Sequence, residues 1–239
     1  DYSAEEMEQV NELKKTITEE ERKELVNTII VKTQGFVNEN FKGNVSKPVE
    51  LFNDLLALYQ GVDKQQLREN LKYFLNEVVP VAQQYGVNLC IHPDDPPFPV
   101  LGLPRIVGNT EDIEWILNAV DVPNNGFTFC AGSLSSGLHN DVPVMAKKFA
   151  KRTHFVHLRS TDVAENGNFI EASHLEGRGH LVELVRIFER EHPGLPMRVD
   201  HGKLMLDDVE KSDNPGYSFY GRMYALAEVS GIMAAVRNS

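Results

Sequence analysis

Apolar residues recur at helical spacing over the first third of the chain and in short continuous runs over the rest. Met7, Val10 and Leu13, then Leu25, Ile29 and Ile30, each follow a capping pattern, Ser3 with Glu6 and Thr18 with Glu21. In that pattern the hydroxyl accepts a first-turn backbone N–H while the Glu returns to the cap, which marks a helix start. Gly35 and Gly43 interrupt the pattern, and Ser46-Lys47-Pro48 opens a helix through Leu51, Leu55 and Leu58. Asp63 with Gln66 starts a longer helix with Leu67, Leu71, Phe74 and Val78 on one stripe. Pro80 is expected to kink it and Gly86 to stop it.

From residue 87 the pattern changes. Four strand-like runs, Val87–Ile91, Phe127–Cys130, Thr153–Leu158 and Met197–Val199, are separated by helical patterns near Thr110–Val120, Asp141–Lys151 and His180–Glu191. A last helix is expected near Ser218–Val236, and Thr161–Gly179 reads as a long polar loop. Strands alternating with helices predict βα units and a parallel sheet. A closed TIM (β/α)8 barrel needs eight such units. About four are legible, so the chain reads as the C-terminal portion of a barrel. Residues 1–86 form a helical insertion plus a barrel helix, and 87–239 carry the βα units.

Composition narrows the function classes. The 239 residues are 41% hydrophobic and 25% charged, enough to bury a sizeable core. Twenty-four basic residues against 35 acidic ones leave a net charge of −11. That balance argues against nucleic acid and anionic membranes as partners. No apolar run approaches the ~20 residues that span a bilayer. The start, Asp-Tyr-Ser-Ala-Glu-Glu-Met, has no signal-peptide character and no leading Met, so it reads as lying inside a longer gene product. Two cysteines make no disulfide framework, which suits a reducing, cytoplasmic setting. Phosphate-binding glycine motifs, Gly-x-Ser-x-Gly and Cys-x-x-Cys are absent.

The ends of the strand-like runs carry the informative chemistry. They deliver His92, Cys130, His157 and Asp200 in turn. Ligands gather at the carboxyl edge of parallel α/β sheets. Two imidazoles, a thiol and a carboxylate suit a borderline divalent ion such as Zn²⁺, Fe²⁺ or Mn²⁺ rather than Ca²⁺ or Mg²⁺. A lone strand cysteine is more often a small buried hydrophobe, and Cys90 is read so. Four donors at one edge reverse that weighting for Cys130. His154 is expected to face away from His157, and His139, His180 and His192 to lie in solvated stretches. His174 falls in the polar loop, as part of a lid or a surface excursion. Arg159 follows His157 and can bind a carboxylate in bidentate fashion, or form a rim salt bridge. Pro93–Pro104, with five prolines, reads as a rigid loop or a turn.

Several segments together resemble mannonate dehydratase. They are His92-Pro93-Asp94-Asp95-Pro96-Pro97, Gly102-Leu103-Pro104-Arg105-Ile106, Gly126-Phe127-Thr128 with Cys130 and Gly132-Ser133, and His157-Leu158-Arg159-Ser160. Glu171-Ala172 with His174-Leu175, Asp200-His201-Gly202 and Asn214-Pro215-Gly216-Tyr217 complete the likeness. The resemblance implies a metal-dependent barrel related to xylose isomerase. It implies dehydration of D-mannonate to 2-keto-3-deoxy-D-gluconate in hexuronate catabolism, with Mn²⁺ or Fe²⁺ on His92, Cys130, His157 and Asp200. His201 and Tyr217 fall at the proton-transfer positions, either one as base or acid, and Arg159 and His174 are expected to bind substrate. Two other readings stay open: a related sugar isomerase, and a barrel fragment that binds metal or a partner chain without turnover. Exposed sheet edges favour a homo-oligomer.

Overall fold

The computed structural model describes residues 3–32, 48–211 and 215–238. Gly35, Gly43, Ser46 and Asn214 lie outside them. The chain divides into two compact units, Asp1–Gly61 and Val62–Ser239.

The first unit is helical. Helix α1 (Ala4–Thr16) and helix α2 (Glu19–Val26) both carry the complete capping box expected at Ser3/Glu6 and Thr18/Glu21. A π-helical stretch, Asn27–Lys32, follows α2, and helix α3 covers Pro48–Ala57. Met7, Val10 and Leu13 are exposed, so the amphipathic face of α1 is not a core face.

The second unit is an α/β layer. Helix α4 (Lys64–Gln84) is capped by Asp63, which accepts the Gln66 N–H at 2.8 Å. It continues through Pro80, which lies on the exposed side with Asn76, where the carbonyl left without a donor can meet water. Its buried stripe is Leu75, Val79 and Ala82, with Leu67 and Leu71 packed beside it. Phe74, expected on that stripe, is exposed: the four-residue repeat Leu67, Leu71, Leu75, Val79 leaves position 74 on the flank.

Strands β1 (Leu89–Ile91), β2 (Asn125–Cys130), β3 (Thr153–Leu158) and β6 (Met197–Val199) form one parallel sheet in the order β1-β2-β3-β6. Helices α5 (Thr110–Ala119), α6 (Ala131–Ser135), α7 (Val142–Phe149), α8 (Leu181–Glu191) and α10 (Phe219–Arg237) intervene and follow, with the short helix α9 (Asp208–Lys211) before α10. All six residues of β2 are buried, as a central parallel strand requires. Phe129 meets Phe188 of α8 edge-on with ring centroids 5.3 Å apart, tying sheet to helix layer. Cys90, expected in the core, is exposed. It sits mid-way along β1, which pairs with β2 alone among the described strands, and an edge strand is covered less well than a central one.

The segment read as the polar loop Thr161–Gly179 contains an antiparallel hairpin, β4 (Thr161–Val163) with β5 (Phe169–Glu171). Three-residue strands with a polar turn, closed by the Ala164 N–H to the Asn168 carbonyl at 2.8 Å, are too short to show alternation in sequence.

Helix α10 is anchored at its start from a distance. The Ser218 side chain makes no cap bond, and Asp208 accepts from the N–H groups of Tyr220 at 2.6 Å and Gly221 at 3.2 Å. A Cβ at Gly221 would collide with the Lys203 carbonyl, so helix and loop approach at backbone contact. Asp208→Ala is expected to lower stability by about 1 kcal/mol, the usual cost of losing a helix cap. Chemical denaturation of the two proteins checks this, and an unchanged midpoint would show that water replaces the carboxylate.

Candidate metal centre and its neighbours

Strand register assembles the centre. Cys130 pairs with His157, and His157 with Arg198, two residues before Asp200. On each strand the chemistry alternates with the core: Phe127 and Phe129 are in the core cluster while Cys130 faces the other way, and likewise Val156 and Leu158 against His157. The ligand atoms of His92, Cys130 and His157 all lie within 4.8 Å of one another, and no other such trio occurs among the described residues. His92 Nε2 is 3.3 Å from His157 Nδ1. Asp200 Oδ2 stands 3.8 Å from Cys130 Sγ and 3.9 Å from His157 Nδ1, so the fourth expected donor borders the trio.

The surroundings hold these groups in ligand-ready positions. The Ser133 hydroxyl donates to Cys130 Sγ at 3.1 Å. Burial pushes the Cys130 thiol up to about 11, helped by the Asp200 charge. Burial also brings His157 down to about 4, against the pull of Asp200 and with a further push from His92. The imidazole is therefore neutral near pH 7, the state that binds a metal. Arg198 donates to Asp200 Oδ1 at 3.1 Å.

Beside the trio lies a second group. His201 Nε2 is 3.1 Å from Tyr217 Oη, and His201 Nδ1 is 3.2 Å from Glu171 Oε1. Burial, then Asp200, raises the Tyr217 pKa. Arg159 is 3% exposed. Its Nε donates to Glu171 Oε1 and Oε2 at 2.9 and 3.0 Å, its Nη2 pairs with Oε1 at 2.6 Å, and its Nη1 is bonded to Asp95. Burial alone would lower the arginine pKa, but Glu171 and Asp95 outweigh it and the net shift is upward. The stem of Arg159 lies over Gly132, where a Cβ would collide with it. His174 is 3% exposed: its Nε2 bonds the Leu158 carbonyl at 3.0 Å and its backbone N–H reaches Glu228 at 3.1 Å.

The proline-rich loop after His92 joins this group through Asp95. Asp94 holds the loop by accepting from Ile106 and Val107 N–H groups, each at 2.9 Å. His154 faces away as expected, bonded to the Pro123 carbonyl at 2.8 Å. Asp95, Ser133 and the role of Glu171 carry no pattern of their own in the sequence. Their one signal is that all three sit inside the segments carrying the family likeness.

Two imidazoles, a thiol and a carboxylate at the carboxyl edge of a parallel sheet define the class: an α/β protein with a candidate divalent-metal centre. The chain belongs to the D-mannonate dehydratase (UxuA) family, whose model matches residues 4–239. A mannonate dehydratase from Marinomonas sp. (strain MWYL1) is 43% identical over 249 residues, covering 100% of this chain and 62% of that protein. The crystal structure of mannonate dehydratase from Streptococcus suis serotype 2 superposes with a TM-score of 0.74 at 32% identity, over 83% of this chain and 57% of that one. The IolI protein, solved with a zinc atom, matches with a TM-score of 0.54 at 14% identity over 73% of this chain and 59% of that one, a likeness of fold. The chain thus spans about three-fifths of the length of these relatives. No helix among the described residues is long and apolar enough to cross a membrane.

Proposed function

We propose that this chain carries the dehydration of D-mannonate to 2-keto-3-deoxy-D-gluconate, a step of hexuronate catabolism, with Mn²⁺ or Fe²⁺ held by His92, Cys130, His157 and Asp200. The observation that carries the reading is the trio of ligand atoms within 4.8 Å, bordered by Asp200, in a chain of this family. The donor set fits a borderline transition ion, whereas an all-oxygen set would be wanted for Mg²⁺ or Ca²⁺.

The reaction removes the C2 proton and the C3 hydroxyl. The C2–H electron pair becomes the C2–C3 double bond as the hydroxyl leaves, protonated, as water; the resulting enol then tautomerises to the 2-keto acid. When bound, a divalent cation supplies the Lewis-acid charge that makes the C2 proton removable. His201 and Tyr217 divide the two proton transfers, one taking the C2 proton and one protonating the leaving hydroxyl. Their contact at 3.1 Å lets a proton pass between them. Arg159 acts on the substrate side by exchanging Asp95 for the substrate carboxylate. His174 acts there by holding the end of β3 through the Leu158 carbonyl. The proposal places the protein in the cytoplasm as a homo-oligomer, with a sugar acid as its small-molecule partner.

The test is incubation of the Mn²⁺-loaded protein with D-mannonate, following formation of the 2-keto acid. Product that disappears on chelation and returns with metal supports the reading. Turnover of keto-sugars in place of mannonate would replace it with a sugar isomerase. Because the chain spans about three-fifths of its relatives, a second reading is a metal-binding chain without turnover. Metal retained at one equivalent with no product would establish that one.

A further inference from the structure

Glu171 ends β5, the short hairpin strand, and its carboxylate reaches into the candidate site from outside the four parallel strands. It touches none of the four expected ligands. One of its oxygens, Oε1, takes the His201 ring at Nδ1 (3.2 Å) together with Arg159 Nε and Nη2. Burial would raise its pKa, yet the bonds from His201 and Arg159 outweigh burial and lower it, so the group is an ionised acceptor near neutral pH. An ionised carboxylate has no proton to give. Nδ1 of His201 must therefore be the donor. In a neutral imidazole the other nitrogen, Nε2, is then the acceptor, and it is Nε2 that faces Tyr217 Oη.

We propose that Glu171 is a positioning residue of the proton-transfer pair, holding the His201 ring with a proton on Nδ1 and with Nε2 directed at Tyr217. The inference rests on the proposed reaction only for its catalytic consequence; the tautomer is a property of the protein itself. It also accounts for the buried Arg159 and its second partner, Asp95. The guanidinium fixes both oxygens of Glu171 through Nε and Nη2, so the ring is oriented through an ion pair rather than by a single bond, whether Nη1 holds Asp95 or the substrate carboxylate. Without the carboxylate, nothing given by the geometry prefers Nδ1–H, and the ring is free to present N–H, rather than a lone pair, to the tyrosine.

The experiment uses protein labelled with ¹⁵N-histidine and loaded with diamagnetic Zn²⁺, read by long-range ¹H–¹⁵N correlation. His201 is assigned by the signals lost in His201→Asn. The wild type is expected to show His201 as Nδ1–H, and Glu171→Ala to move it toward Nε2–H. The isosteric Glu171→Gln keeps an acceptor oxygen and is expected to retain Nδ1–H. With Mn²⁺ and D-mannonate, kcat is expected to fall about 10–100-fold in Glu171→Ala with KM nearly unchanged, as for outer partners that orient a reacting group, and to recover in large part in Glu171→Gln. A wild-type His201 carrying its proton on Nε2 would overturn the inference without need of any variant. So would a Glu171→Ala protein whose tautomer is unchanged. Absence of mannonate turnover in the wild type would instead remove the proposed reaction, leaving the tautomer result to stand separately.

Discussion

Replacement of His201 by asparagine is expected to lower mannonate dehydration by about 10²–10⁴-fold, the range for losing a positioned general acid or base. Bound metal, measured by elemental analysis on the same sample, is expected to stay at the wild-type level. The two readouts separate because His201 is not among the three donors whose ligand atoms cluster within 4.8 Å. Its ring sits to one side, with Nε2 on Tyr217 Oη at 3.1 Å and 3.9 Å from Asp200 Oδ1. Asparagine keeps a polar side chain beside Glu171 and Tyr217, so a large packing defect is not the expected cause of any loss. Activity within a few-fold of wild type would take His201 out of the proton transfers. Loss of metal along with activity would move it into the ligand shell.

Cys130→Ser is expected to strip most of the metal under conditions where the wild type retains it. A thiolate is a far softer and stronger donor to a transition ion than a serine hydroxyl, which stays protonated. The same site sets a pH dependence whose sign follows from two shifts. The Cys130 thiol, pushed to about 11 by burial and by Asp200, holds its proton at neutral pH and must release it for the metal. His157, brought down to about 4 chiefly by burial, is already neutral and releases none. Between about pH 7 and 9 the thiol therefore releases one proton per metal bound, and affinity is expected to rise about tenfold per pH unit. In Cys130→Ser that slope should flatten as the residual affinity falls. Titration of the metal-free protein with Mn²⁺ at several pH values measures both. A wild-type affinity independent of pH, or a serine variant that keeps its metal, would remove Cys130 from the ligand set.

Much of this architecture can be read from local pattern. The capping pairs Ser3/Glu6, Thr18/Glu21 and Asp63/Gln66 start helices where their spacing says they should, because a cap is a bond between residues three apart. The four parallel strands and helices α5, α7, α8 and α10 follow from runs of apolar residues against helical spacing, whereas the five-residue helix α6 is too short to show a period. The departures have equally local explanations. Phe74 lies one position off a stripe that repeats every four residues. Cys90 is apolar enough for a core but belongs to the strand at one edge of the sheet among the described strands. The β4–β5 hairpin is shorter than the window in which alternation becomes visible.

The site divides along the same line. That His92, Cys130, His157 and Asp200 stand at successive strand ends is a statement about positions along the chain, and one amino-acid sequence suffices to make it. That Cys130 lies beside His157 depends on the register of two strands 27 residues apart, since 157 − 130 = 27. That His201 turns one nitrogen to Tyr217 and the other to Glu171 depends on a hairpin, the 3₁₀ turn Pro215–Tyr217 and a strand end meeting. Arg159 could equally have bound a ligand or a rim carboxylate by its residue type; burial between Glu171, Asp95 and Gly132 is what settles its partners. Helix caps and strand runs are decided by bonds among near neighbours and by the period of apolar residues, which the order of residues contains. Hydrogen bonds between groups 30 to 64 residues apart form only after the core has chosen which strand edges touch, and that choice is made by packing over the whole unit.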